Sequence, residues 1–142
     1  MALAARTRSA TPVVRWGGLI ATLGGGAWIV KVAYIVLALD PNESDAVTTI
    51  LYIAGFLLPV AAAVGVAAWL GAERGAAARV GIFIAVVLVH VFTVTTLSEG
   101  VEAVVDPLLT DSRHLVPEVP VALIGLIWFV LGRTMWTRSA PR

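Results

Sequence analysis

Four long apolar stretches alternate with short polar segments along this chain of 142 residues. The first, 16–39, contains 24 residues and a single charge, Lys31. About 20 mostly apolar residues are enough for a helix to cross about 30 Å of hydrocarbon. The same pattern places further spans at 47–71, 78–98 and 117–136. It therefore predicts an all-α integral membrane protein, a four-helix bundle that forms one membrane domain over 1–142.

The longest polar connection, 99–116, has a pattern of its own. Its apolar residues recur at the spacing of one helical face, opposite the acidic residues; they are Val101, Val104, Val105, Leu108 and Leu109. Pro107 is expected to end any helix near Asp106. We expect an extracytoplasmic loop with a short interfacial helix between spans three and four, or else a prolongation of the third span. A plain loop is the remaining alternative.

Charge is distributed unevenly between the two sets of connections. Eight of the ten basic residues lie in the two terminal segments and the middle turn: Arg6, Arg8, Arg15, Arg74, Arg79, Arg133, Arg138 and Arg142. The other two connections contain only Arg113 among basic residues, against eight acidic residues. Because short cytoplasmic segments are enriched in Lys and Arg, this asymmetry predicts that both termini are cytoplasmic.

Composition excludes several classes of protein. Hydrophobic residues make up 59% of the chain and charged residues 13%, against roughly 25% charged in a soluble domain. The chain has no cysteine, which excludes disulfides, thiol catalysis and iron–sulfur clusters. The basic residues are dispersed among the span ends, so we expect no nucleic-acid partner.

Small residues recur at intervals of four along the first span, in two registers. They are Gly17, Ala21 and Gly25 in one register, and Gly18, Thr22 and Gly26 in the other. Such spacing lets a second helix approach closely, and helices in lipid associate through van der Waals fit rather than through expulsion of water. We expect helix packing here, either inside the chain or between copies in a homo-oligomer.

Lys31 is the one charge inside the first span, and it carries the main functional hypothesis. A central lysine facing lipid costs about 2.5 to 3.5 kcal/mol, so an interior position with polar partners is expected. Several polar or aromatic residues are predicted at a similar depth in the outer half of the membrane. The predicted ligand or ion pocket contains Lys31, Tyr34, Tyr52, His90, Thr93 and Glu99. A structural ion pair or a snorkelled lysine are the alternatives.

The sequence contains few residues that could bind a cofactor or catalyse a reaction. Haem in a bundle usually has two axial ligands, whereas His90 stands alone in the apolar stretches and His114 lies in a loop. Zinc requires a cluster of ligands that the sequence lacks. We therefore expect no metal, no cofactor and no enzymatic activity. The leading hypothesis is an accessory, structural or partner-binding membrane protein. The alternatives are a small transporter or channel that uses Lys31 and His90, and a lipid-modifying enzyme.

The stretch Gly24–Lys31, followed by an acidic turn and a second span, resembles small uncharacterised membrane proteins of actinobacteria. This resemblance covers the first two helices and implies no activity. It favours a multi-pass protein of a bacterial plasma (inner) membrane, whose partners are the lipid bilayer and a second copy or a larger membrane protein. Small multidrug exporters have a similar size but typically use an acidic residue in their first helix, where this chain has Lys31.

Overall fold

The computed structural model describes the backbone of residues 12–38, 46–105 and 118–139, and the side chains of 12–37, 46–96 and 120–139. These ranges form four α-helices: α1 (Pro12–Ala38), α2 (Ala46–Leu70), α3 (Ala76–Val105) and α4 (Glu118–Arg138). Each contains a window long and apolar enough to cross a membrane. The prediction of an all-α chain with four apolar helices is confirmed. The orientation of the termini stays a prediction.

The helices extend beyond the predicted spans at some ends. The first begins at Pro12 and the third continues to Val105. Proline is well suited to the first turn of α1 because the N–H it lacks has no partner there. Residues 99–105 prolong α3, so the separate interfacial helix expected within 99–116 is not supported. Residues 106–117 lie outside the described ranges.

The first helix is the centre of the bundle, because it packs extensively against both α2 and α4. A Cβ atom built on Gly17 would lie 2.6 Å from Gly65 Cα in α2, and one built on Gly18 would lie 2.8 Å from the Gly132 carbonyl oxygen in α4. Backbones at such distances leave no room for a side chain. Gly17 therefore contacts α2, while Gly18 contacts α4.

Two further small residues of α1 continue these contacts, and one does not. Ala21 is fully buried, and a Cβ on Gly25 would meet the Gly125 carbonyl oxygen and the Phe129 amide nitrogen of α4. A Cβ on Gly26, in contrast, would meet nothing within 4 Å. The helix packing expected at Gly26 is therefore not formed within the described chain, although its neighbour Gly25 is tightly packed.

The turn between α2 and α3 is organised by arginine side chains. Arg79 Nε donates to the Gly71 carbonyl oxygen at 3.0 Å, and Arg74 Nη1 donates to the Leu70 carbonyl oxygen at 2.9 Å. The last carbonyl groups of a helix have no partner within the helix, and basic side chains near this end also match its negative dipole. These two arginines therefore cap α2.

The third helix is the least buried of the four. It contacts α2 more than α4. Its exposed apolar residues are Val80, Ile84, Leu88, Val89 and Phe92. In a membrane such a surface faces lipid or another protein.

Candidate functional site

The residues predicted to form a pocket are distributed over three helices. Lys31 and Tyr34 lie on α1, Tyr52 on α2, and His90 and Thr93 on α3. The backbone of Glu99 is part of α3, but its side chain lies outside the described side chains.

A series of aromatic rings connects all four helices near their middle. We call it the aromatic layer, and its members are Trp28, Tyr52, Phe56, His90 and Trp128. Successive ring centroids are separated by 5.3 Å between Trp28 and Tyr52, 6.4 Å between Tyr52 and Phe56, 5.6 Å between Phe56 and His90, and 5.5 Å between His90 and Trp128. The first and last pairs are edge-to-face, an arrangement that aromatic quadrupoles favour.

His90 is the polar centre of this layer, with only 3% of its surface exposed. The Trp128 Nε1 atom lies 3.1 Å from His90 Nδ1, and His90 Nε2 lies 3.2 Å from the Phe56 carbonyl oxygen. An indole N–H can only donate, so Nδ1 accepts. The neutral ring with hydrogen on Nε2 then donates to Phe56. Both ring nitrogens are satisfied, and one side chain connects α2, α3 and α4.

Lys31 lies at the α1 end of the same series of contacts. Its Nζ atom is 5.8 Å from the centroid of the Trp28 ring, within the range of a cation–π interaction. The side chain is half-buried, whereas Tyr52, which also contacts Trp28, is exposed. Lys31 and Tyr52 therefore share Trp28 as a neighbour, and the layer connects them to His90 through Phe56.

Thr93 does not point a free hydroxyl into a pocket. Its Oγ1 atom donates to the Val89 carbonyl oxygen of the same helix at 2.6 Å. Thr95 makes the equivalent bond to Val91 at 2.9 Å. Threonines in helices commonly bond to a carbonyl one turn earlier. Thr93 and Thr95 are therefore both engaged with the backbone of their own helix.

Trp28 differs from Trp128 in its hydrogen bonding. It is 1% exposed, and its Nε1 atom has no hydrogen-bond partner among the described residues. Glycines make room for the indole: a Cβ on Gly55 would lie 2.7 Å from Trp28 Cδ2, and a Cβ on Gly125 would lie 2.7 Å from Trp28 Cβ. Trp28 is not among the residues that the sequence predicts in the pocket. An isolated glycine in each of two other apolar stretches was the available signal that a large ring packs there.

The polar atoms of the aromatic layer are better suited to linking helices than to binding a metal ion. Within the described ranges, no group of three or more His, Cys, Asp or Glu residues lies close enough to hold a metal ion. His90 contributes one imidazole, and both of its nitrogens already have protein partners. What the arrangement can do chemically is to fix the relative positions of three helices in a low-dielectric core.

No protein family, curated protein or solved structure matches this chain. The resemblance to small actinobacterial membrane proteins stays a prediction.

Proposed function

We propose that this chain is a small multi-pass protein of a bacterial plasma or inner membrane, with both termini in the cytoplasm. In this proposal it acts as an accessory, structural or partner-binding protein without enzymatic activity. The four apolar helices support the membrane location, and the arginine distribution supports the orientation. Its partners are the bilayer and either a second copy or a larger membrane protein.

This proposal rests on one observation, which is that both ring nitrogens of His90 are hydrogen-bonded within the protein. A mid-membrane histidine is the residue type expected to move protons or hold a ligand. Here it is buried, and its two nitrogens are bonded to Phe56 and Trp128 of neighbouring helices. A residue used in this way stabilises the bundle. The outward surfaces of the helices are apolar and suit contact with lipid or with other membrane helices.

A photocrosslinking experiment tests the partner-binding role. A photoreactive amino acid is placed at one exposed position on each helix, at Leu23, Leu57, Leu88 or Ile127, and native membranes are irradiated. We expect a discrete protein adduct from one helix and lipid adducts from the other three. An adduct of twice the chain mass, reproduced with purified protein, identifies a homo-oligomer. Lipid adducts alone at all four positions would contradict partner binding.

A small transporter or channel is the second candidate, and the region around Lys31 favours it. Lys31 is half-buried, and its Nζ atom lies over the ring of Trp28, whose buried N–H has no hydrogen-bond partner among the described residues. A cation and an N–H donor in one region suit an anion. In this candidate the polar site is formed by Lys31, Trp28 and Tyr52, and His90 supports it from the core.

Flux measurements separate the two candidates. Purified protein is reconstituted in liposomes that contain a pH-sensitive or a halide-sensitive dye. An accessory protein gives no flux above that of empty liposomes. A transporter gives flux that Lys31→Ala abolishes while the variant stays folded and inserted. Loss of insertion in Lys31→Ala would instead assign Lys31 a structural role.

A further inference from the structure

The end of the bundle farthest from Lys31 carries a concentration of exposed arginines. Arg15 lies in the first turn of α1, and Arg133 and Arg138 lie in the last two turns of α4. Arg74 and Arg79 lie at the α2–α3 turn, together with Glu73, which is the one carboxylate among the described side chains. This end is therefore strongly cationic over the described part of the chain.

The arginines at this end differ in whether their N–H groups donate hydrogen bonds to backbone carbonyl groups. Arg74 and Arg79 donate to the last carbonyl groups of α2 and to the turn that follows. Arg15 is instead stacked on α4, with its guanidinium carbon 4.5 Å from the centroid of the Trp136 ring. A cation–π contact occupies no hydrogen-bond acceptor, so it leaves the N–H donors of the guanidinium for other partners. The Arg15 side chain is exposed, so these donors are accessible.

Arg133 lies next to this stacked pair. It precedes Trp136 by three residues on α4, and residues at this spacing are neighbours on a helix surface. A Cβ on Gly18 would lie 2.8 Å from both the Gly132 carbonyl oxygen and the Trp136 amide nitrogen, and one on Gly25 would meet both Gly125 and Phe129. Because α1 and α4 are antiparallel, Gly18 is therefore level with Thr134, midway between Gly132 and Trp136. In that register Arg133 lies about four residues deeper than Arg15, or about 6 Å along the helix axis. The helix spacing thus places Arg133 on the same side of α4 as Trp136, and the exposed Arg15 and Arg133 lie near one indole at two depths.

We propose that Arg15, Arg133 and Trp136 form a binding site for the phosphate of an anionic phospholipid at this end of the α1–α4 contact. Guanidinium groups bind phosphate oxygens through paired N–H donors. Basic residues between membrane helices recognise anionic headgroups, and tryptophan is enriched at the membrane–water boundary. The exposed Trp16, adjacent to Arg15, adds a second indole at this depth. The net positive charge of this end favours an anionic over a zwitterionic lipid.

The test measures lipid binding to the purified full chain in mild detergent by native mass spectrometry. The probes are phosphatidylglycerol and phosphatidylcholine, titrated separately. We expect tighter binding of phosphatidylglycerol, and a loss of about tenfold in Arg15→Gln and in Arg133→Gln, since each variant removes the paired, charge-assisted hydrogen bonds of one guanidinium to the phosphate. Arg15→Lys should retain the charge but lose part of the affinity, because lysine lacks the planar fork.

Arg138→Gln is the matched control, since it removes the same charge from the same helix end. Arg138 follows Trp136 by two residues and therefore lies on a different side of α4. We expect its effect to stay below twofold. An equal loss in Arg138→Gln would overturn the site and leave only general charge attraction. The absence of a preference for phosphatidylglycerol would also overturn it.

A competition experiment distinguishes a lipid headgroup from free phosphate as the ligand. Millimolar inorganic phosphate is added to the lipid-bound protein, and we expect the lipid to stay bound. Displacement by inorganic phosphate would overturn the assignment to a lipid. Thermal unfolding of each variant in the same detergent identifies any that fail to fold. In that case Arg15→Lys, which preserves the charge, replaces Arg15→Gln.

Discussion

The first and third helices are attached to the bundle by different means. Along α1, glycines bring the backbone against α2 at Gly65 and against α4 at Gly132 and Gly125. Along α3, the described glycine, Gly81, would meet nothing within 4 Å if a Cβ were added. This helix is instead linked to its neighbours through the aromatic and hydrogen-bonding contacts of His90. The attachment of α1 runs along its backbone, and that of α3 is made by side chains, among which His90 supplies the hydrogen bonds and Val94 is also buried.

This difference follows from the physics of association in lipid. Burying apolar side chains between helices gains little there, because lipid tails are as apolar as the side chains. Close backbone packing supplies many van der Waals contacts along α1. A buried hydrogen-bonded side chain supplies a few directed contacts to α3. We therefore expect α1 to be sensitive to added volume and α3 to be sensitive to loss of one polar group.

The largest expected effect is that of Gly25→Ala. Its new Cβ would meet the backbone of Gly125 and Phe129, which can move only if α1 and α4 separate. Overpacking typically costs about 1 to 3 kcal/mol, occasionally more, and contact with the backbone of two residues places this change above that range, at about 4 kcal/mol or more. Unfolding of the purified protein in mixed detergent and SDS measures it.

Gly26→Ala is the control for that experiment. It makes the same substitution one residue later, where no atom lies within 4 Å of the new Cβ. Alanine is favoured over glycine in a helix by up to about 1 kcal/mol, so we expect a neutral or slightly stabilising change. Equal destabilisation by the two variants would contradict the finding that Gly25 is packed against α4 and Gly26 is not.

The next largest effect is expected for His90→Ala. The change leaves a cavity, removes the contact with the Phe56 carbonyl oxygen and deprives the Trp128 N–H of its acceptor. We expect a cost of about 2 to 4 kcal/mol in the free energy of unfolding. Because the chain has no cysteine, an introduced cysteine pair between α2 and α3 should show weaker disulfide crosslinking in this variant.

Thr93→Val serves as the control on the same helix. The Thr93 hydroxyl bonds only to its own helix in the contacts described above, and valine is close to threonine in shape. A change of less than about 1 kcal/mol is expected, since the net value of one hydrogen bond is about 0.5 to 1.5 kcal/mol. Unchanged crosslinking and unfolding in His90→Ala would show that α3 does not depend on His90.

The smallest effects are expected from the two tryptophans of the aromatic layer. Trp128→Phe leaves His90 Nδ1 without a donor, and a buried polar atom left unpaired costs about 1 to 3 kcal/mol. Trp28→Phe removes an indole N–H that has no partner among the described residues, so the gain from losing an unpaired donor offsets part of the lost packing. We expect Trp28→Phe to be the milder change.

Unfolding free energies of the two tryptophan variants, measured in one detergent, give the comparison directly. A larger loss for Trp28→Phe than for Trp128→Phe would mean that the Trp28 N–H binds an acceptor in the membrane. That outcome would favour an anion bound by Trp28 and Lys31.

Part of the candidate site could be predicted from single residues, but its connections could not. Lys31 and His90 stand out because polar residues are rare in apolar stretches. The sequence predicts them in one pocket, and the structure joins them through the rings of the aromatic layer, with His90 in the packed core. The partners of His90, Phe56 and Trp128, are ordinary apolar residues in the sequence. Nothing local distinguishes them, since the bonds join residues 34 and 38 positions apart.

The sequence by itself determined the four helices, because length and apolar composition decide whether a segment can satisfy its backbone within a membrane. It also indicated that α1 packs closely, from the spacing of Gly17, Gly18 and Gly25. Only the tertiary structure decided which helix each glycine contacts. An α-helix turns about 100° per residue, so a four-residue interval drifts by about 40° and a seven-residue interval by only about 20°. The contact with α4 therefore passes from Gly18 to Gly25, and Gly26, although in the four-residue register, falls outside it.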